Sequence, residues 1–345
     1  MPHTTQKVPR VAFLFTNSRD AVISGVQKGQ DADTALRGSN HIPGAEHFTV
    51  FPKSFRSIFF IPRLPDFDFI VAQDNLLLGY IISLYARVFR LKTRWLYVAI
   101  NSSILMRRNA ERPARLMLLK KLWSSYARII CISSEQVEDF ARLGIPRTQL
   151  VFIPFGVDVH FFQPSDVSYE EDLIVSVGRD AGRDYATLFR AVEHTDYPCI
   201  VVAAHKNIPP GMPIPENVSV LYDRSLTEVR DLYARARIVV VPSKDGNVPE
   251  GSDCSGQTVI LDALAAGKTV IATHRSWIAD YFVPGQDLMV VPPNEPETLA
   301  KAIDALWNDA EKRKSLAESG HDKVAAHYTT TAFAEALLKL MDSLV

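Results

Sequence analysis

Cysteine is scarce in this chain. Three occur in 345 residues, Cys131, Cys199 and Cys254, an odd number and far apart. No Cys-x-x-Cys spacing exists, so neither a disulfide framework nor a structural zinc site is indicated. An excess of one charge is lacking too. Lys and Arg total 38 against 39 Asp and Glu, a net charge of -1. That excludes a basic footprint over the whole protein and argues against nucleic acid as a partner, while leaving room for a local patch. No apolar run approaches the ~20 residues of a membrane span. The first, residues 11–15, is also too short for a secretory leader. A reducing cytoplasmic setting is the expectation. Repeats of a few tens of residues and low-complexity stretches are missing as well.

What is present reads as a globular chain of two domains. Hydrophobic residues make up 47% and charged residues 22% of the 345, enough to bury a core in each half. Continuous apolar runs at 11–15, 47–51, 68–72, 95–100, 128–132 and 150–153 predict strands covered on both faces, as in a parallel sheet. Helix-like stretches at 76–90 and 114–126 separate them, which gives βαβ units. The turn-rich Phe161-Phe162-Gln163-Pro164-Ser165-Asp166 is taken as a hinge. The pattern then restarts, with strands at 173–177, 198–203, 218–221, 237–241, 269–272 and 288–291. A helix follows the first of these at 185–193. The last stretch, 332–345, is amphipathic, with Phe333, Ala336, Leu337, Leu340 and Met341 on one face. The expected fold class is α/β, two Rossmann-like doubly wound domains facing each other across a cleft. Their expected bounds are 1–162 and 163–325, with 326–345 a helix packing back on the first. Ligands of such sheets sit beyond the strand carboxyl ends.

Three strand-to-helix turns carry the chemistry. Gly178-Arg179-Asp180-Ala181-Gly182-Arg183-Asp184 follows a strand and opens a helix. Its glycines allow a tight turn, and Arg179 and Arg183 place bidentate cations at a helix N-terminus, where anions are stabilised. The plainer alternative pairs these arginines with Asp180 and Asp184. In Cys254-Ser255-Gly256-Gln257, Ser255 is the expected N-cap of a helix running to Ala266, and Ser255, Gly256 and Gln257 offer further backbone donors. Asp262, about two turns along, is a candidate acceptor for sugar hydroxyls, or else a solvated aspartate. The third turn is Ser24-Gly25-Val26-Gln27. No P-loop, Gly-x-Gly-x-x-Gly or His-Glu-x-x-His motif occurs. Asp66-Phe67-Asp68 leads into a buried strand, so no metal is expected. Arginines and helix dipoles must then neutralise a phosphate.

These residues resemble the family-four glycosyltransferases of the GT-B fold, and the resemblance spreads over most of the chain. Ser24-Gly25-Val26-Gln27 is similar to the family's Gly-Gly-Val-Gln loop. Ile153-Pro154-Phe155-Gly156-Val157-Asp158 resembles the exit from the N-terminal domain. Val177-Gly178-Arg179 resembles the turn opening the donor domain, and the 255–267 run resembles the Glu-x7-Glu region. The resemblance implies transfer of a sugar from a UDP- or GDP-linked donor to a hydroxyl acceptor, lipid-linked or a growing glycan. Configuration is retained and neither cofactor nor metal is required. It implies that Gly25, Arg179, Arg183, Ser255, Gly256 and Gln257 hold the diphosphate, that Asp262 holds the ribose, and that Tyr222 and Arg224 meet the base. Departures are Cys254 in place of the first Glu, read as a packing residue, Asp262 in place of the second, and Arg183 in place of a Lys. Gln73-Asp74-Asn75 stands where many members carry a His, which makes Asp74 a candidate near the reacting sugar. An epimerase or hydrolase on the same fold, or an inactive sugar-nucleotide-binding relative, are the alternatives.

A basic, apolar stretch adds one more expectation. Arg107, Arg108, Arg112, Arg115, Lys120 and Lys121 interleave with leucines, and residues 53–63 repeat the pattern with aromatics. Such a surface suits anionic lipid headgroups. The alternative is an ordinary core-facing helix with a solvated cationic side.

Overall fold

Among the described residues, β-branched and aromatic runs bounded by Gly, Pro and polar residues form twelve strands, all in parallel registers. The computed structural model describes residues 9–49, 63, 65–73, 76–165, 172–246 and 250–345. These fall into two units. The first comprises residues 1–24, 33–154 and 330–345, and the second residues 25–32 and 155–329.

In the first unit the strands are β1 Val11–Phe15, β2 Glu46–Thr49, β3 Phe69–Ala72, β4 Arg94–Ala99, β5 Arg128–Cys131 and β6 Leu150–Phe152. Their order in the sheet is β2-β1-β3-β4-β5-β6. The helices are α1 Asp20–Gln27, whose last residues belong to the 25–32 segment, then α2 Leu76–Val88, α3 Ser102–Arg107, α4 Pro113–Trp123 and α5 Ser134–Arg142. Local chemistry fixes the helix starts. Ser133 caps α5 by accepting from the Gln136 N–H at 3.2 Å, and α4 begins on Pro113, whose missing N–H costs nothing there. Trp123 meets Phe140 edge-on in the core, with centroids 4.9 Å apart.

The second unit repeats the plan. Its strands are β7 Ile174–Gly178, β8 Cys199–Ala203, β9 Val218–Tyr222, β10 Ile238–Val241, β11 Thr269–Thr273 and β12 Met289–Val291. They stand in the order β12-β11-β10-β7-β8-β9. The helices are α6 Tyr185–Val192, α7 Leu226–Arg235, α8 Gln257–Ala265, α9 Ile278–Tyr281, α10 Pro296–Asn308 and α11 Ala310–His327. Asp184 caps α6 through the Thr187 N–H, and Ser225 and Glu228 cap α7 reciprocally. The last helix, α12 Thr330–Asp342, returns to the first unit. It packs on Gly38, where a Cβ would come within 3.0 Å of the Ala334 Cβ and the backbone has φ +72°. The order of each sheet reverses beside its first strand, β1 or β7, and there a ligand finds room.

Three local expectations read differently in the structure. Phe161 and Phe162 are buried, and Phe162 packs on Tyr233, so this stretch lies within the second unit and the change of unit falls at Phe155. Gly25 lies inside α1 rather than in a turn, because the helix begins at Asp20. The N-cap of α8 is Gly256 at φ 90°, not Ser255, whose hydroxyl is engaged elsewhere.

Candidate donor site of the second unit

Asp180 ties the two turns of this unit together. One of its oxygens, Oδ1, accepts from the Gly182 N–H at 2.7 Å, the Ser255 hydroxyl at 2.9 Å and the Ser252 N–H at 3.2 Å. Burial opposes its ionisation, but these donors together with the Arg183 charge hold its carboxyl below the usual value. The backbones approach closely at the same point. A Cβ on Gly251 would meet the Gly182 Cα at 2.6 Å, and Gly251 has φ +89°. Asp180→Ala should therefore loosen both turns and lower the midpoint of thermal unfolding. A loss of about 2–4 kcal/mol is expected for removing one carboxylate from three donors, readable by denaturant titration.

Arg183 occupies the interior of this knot. Its side chain is buried at 4% exposure, and both Nε and Nη1 are sealed from solvent without a hydrogen-bond partner. The guanidinium lies over Gly178 and beside Gly256. A Cβ on Gly178 would come within 1.9 Å of Nε, and one on Gly256 within 3.0 Å of Nη1. Gly178→Ala would therefore push the guanidinium off its place, and we expect a loss of about 1–3 kcal/mol in stability, measurable by denaturant titration. The Arg183 charge acts on Asp180, but among the described contacts neither Arg183 nor Arg179 donates a hydrogen bond to Asp180 or Asp184. Asp184 accepts instead from the N–H and hydroxyl of Thr187. Arg179 is exposed, and its Nη2 donates to the Arg224 carbonyl at 2.7 Å.

A pocket of about 670 Å³ opens at the carboxyl edge of the sheet beside β7. Gly178 and Arg179 line it, with Arg224, Thr258, Val259 and Asp262. The N–H groups of Thr258 and Val259 lie in the first turn of α8, where no carbonyl precedes them within the helix, and their residues face the pocket. The Ser255 and Gln257 N–H groups, by contrast, donate to the Ser252 and Cys254 carbonyls. The positive end of α8 is thus presented one residue later than the sequence suggests. Asp262 has its Oδ1 sealed and unpartnered. Burial first, and the Asp158 charge second, raise its pKa well above the ordinary carboxylate value. Asp31 also lines the pocket, and burial raises its pKa too, against the Ala32 N–H. A Cβ on Gly25 would lie 2.7 Å from the Asp31 Cβ, so this glycine makes room for Asp31. Arg224 reaches Glu228 at 3.0 Å, and Tyr222 stacks on His205 with centroids 4.0 Å apart. Cys254 is buried.

The first unit holds its own unpartnered atoms at the matching edge. Asp74 lies outside the described residues, but its neighbour Gln73, directly after β3, is buried with Oε1 lacking a partner. Arg19, four residues after β1, has its Nε in the same state and its guanidinium 4.6 Å from the Phe15 ring centroid. Burial lowers the Arg19 pKa. β1 and β3 are neighbours, with Leu14 opposite Ala72. Sequence reading missed Arg19. Its signal was a cation placed just beyond a strand at a reversal of sheet order. Among the described residues no group of three or more His, Cys, Asp or Glu is placed to hold a metal.

Comparison with known proteins places this arrangement. Residues 25–156 match the glycosyl transferase 4-like domain, and residues 212–323 match glycosyl transferases group 1. The chain belongs to the family-four-like glycosyltransferases of the GT-B fold. Among solved structures, HepE of Anabaena in complex with UDP and glucose superposes with a TM-score of 0.71 at 18% identity, over 97% of this chain and 100% of that one. Sucrose-phosphate synthase of Thermosynechococcus elongatus gives 0.66 at 17% identity, over 97% and 99%. These likenesses establish the shared fold. An exopolysaccharide phosphotransferase of Streptomyces coelicolor is 31% identical over 119 residues, which are 34% of this chain and 12% of that protein. The chain thus spans only a small part of that relative's length.

Proposed function

We propose that the protein transfers a glycosyl group from a UDP- or GDP-linked donor to a hydroxyl acceptor, with retention of configuration and without a metal. One observation carries this reading: two sealed guanidinium nitrogens of Arg183 with no acceptor, beside the first turn of α8, whose N–H groups have no preceding carbonyl within the helix. Buried guanidinium N–H groups without an acceptor are costly, and a diphosphate supplies the missing acceptors. As the bond between the anomeric carbon and the donor phosphate oxygen breaks, charge grows on that oxygen. Arg183, Arg179 and the helix amides stabilise it in place. The acceptor oxygen bonds to the same face of the anomeric carbon, and its proton passes to the departing phosphate. Asp262, two turns into α8, meets the ribose hydroxyls, and Arg224 the base. The diphosphate binding of a fold-mate, HepE, which was solved with UDP, supports the donor class.

A thermal-shift panel of UDP, GDP and ADP and their sugars tests this. At about 100 times its Kd, the right nucleotide adds roughly 2.7 kcal/mol. That corresponds to a midpoint rise of roughly 5–10 °C for a unit of this size. Donor consumption that needs an added acceptor confirms transfer. Consumption without one points to hydrolysis or epimerisation, and no shift with any nucleotide defeats the proposal.

A further inference from the structure

Ten large apolar side chains stand exposed among the described residues; five of them lie on two helices and a sixth directly follows one. Ile81, Leu84 and Val88 lie on α2 and Phe89 follows it, while Met117 and Leu118 lie on α4. The two helices pack against each other, and the Lys121 Nζ sits 5.8 Å from the Tyr80 ring centroid. The spacing of Ile81, Leu84 and Val88 makes one stripe, opposite the buried Leu76, Ser83 and Ala86. Val88 is 68% exposed and Met117 73%. A helix apolar on both faces belongs in an interior, yet one face here meets solvent.

Charge identifies the missing neighbour. Between residues 76 and 123 there are ten Lys and Arg and one acid, Glu111, in a chain whose net charge is -1. Arg87, Arg90, Lys92, Arg112, Arg115 and Lys121 are exposed and make no ion pair among the described residues. A second copy of this face would set cations against cations. Nucleic acid would take the cations but leave the apolar row in water. No described helix is long and apolar enough to cross a membrane. A short helix with an apolar row flanked by cations lies in the headgroup layer. We infer that the joint face of α2 and α4 docks on an anionic lipid surface. The cations of α4 are visible in the sequence. The outward apolar row of α2 is not, because its run reads as a helix to be buried. This inference stands apart from the donor site.

The test is flotation of the full chain with phosphatidylcholine vesicles, with and without a third of phosphatidylglycerol, at low and high salt. The protein should float with the anionic vesicles, less so at high salt, and stay behind with neutral ones. Leu84→Ser/Val88→Ser and Arg87→Gln/Arg90→Gln/Arg115→Gln should each cut the bound fraction by about tenfold or more. Circular dichroism and UDP binding, unchanged in both variants, establish that they fold. Failure to float with anionic vesicles at low salt overturns the inference, as does equal flotation of either variant. Conversion of a dimer to a monomer by Leu84→Ser/Val88→Ser overturns it in favour of a second copy, and equally tight binding to RNA without lipid overturns it in favour of nucleic acid. Loss of UDP binding by the unaltered protein bears on the transferase proposal alone.

Discussion

Arg183→Ala is expected to weaken UDP binding by about 100-fold while leaving the unliganded protein about as stable as before. Each charge-assisted hydrogen bond from Nε and Nη1 to phosphate is worth roughly 1.5 kcal/mol or more, and two of them make the factor of about 100. Without ligand those same nitrogens are buried and unpaired. Their removal relieves a desolvation cost that offsets the packing lost with the side chain. Most buried arginines behave in the opposite way, because truncation strands a partner. Here Asp180 loses a nearby charge but no hydrogen bond, since it keeps its three donors from Gly182, Ser252 and Ser255. Arg183→Lys restores the charge without the fork, so it should recover only part of the affinity. Calorimetry with UDP and a melting curve without it read both quantities. Unaltered affinity, or collapse of the unliganded fold, would show that this arginine is a packing element.

Much of this architecture is legible in the sequence because both faces of each sheet are covered. Strands so placed are written as unbroken apolar runs, and residues 11–15 coincide with β1, while 128–132 and 218–221 differ from β5 and β9 by one residue. The candidate site is legible only in part: Arg179, Arg224 and Asp262 line the pocket beside β7, whereas Gly25, Arg183, Tyr222, Ser255, Gly256 and Gln257 are not among its lining residues. What escapes the sequence is pairing across distance. Asp180 looks like a salt-bridge partner for its neighbouring arginines. Its contacts with Ser252 and Ser255 join residues more than seventy positions apart. Which residues of the α8 start stand at the pocket follows from that contact. Ser255 turns its hydroxyl to Asp180, Gly256 becomes the cap, and Thr258 and Val259 are the residues at the pocket. The return of α12 to the first unit depends on Gly38 and on a His41–Asp33–Thr330 cluster nearly three hundred residues apart, which no local pattern announces.

Asp262→Asn should separate stability from binding in the reverse sense to a simple loss of contact. Burial and the Asp158 charge raise the folded-state pKa of Asp262 well above 3.8. Below about pH 4 the carboxyl is protonated folded or unfolded, and its contribution to stability is fully present. As pH rises toward the raised value, the unfolded chain releases a proton that the folded one keeps. Stability then falls, by at most about 1.4 kcal/mol per pH unit for this group. Asparagine does not titrate, so the variant should match the parent near pH 4 and exceed it at pH 8 by about 1–3 kcal/mol. Nucleotide affinity should meanwhile drop by about tenfold, because an amide is a weaker acceptor for ribose hydroxyls than a carboxylate. Denaturant midpoints of both proteins from pH 4 to 8, beside UDP titrations at pH 8, measure the two effects. If the two stability curves run parallel across that range, the raised pKa is not a property of Asp262. If affinity is retained while the curves diverge, Asp262 is a strained core carboxylate and the ribose is held by another group.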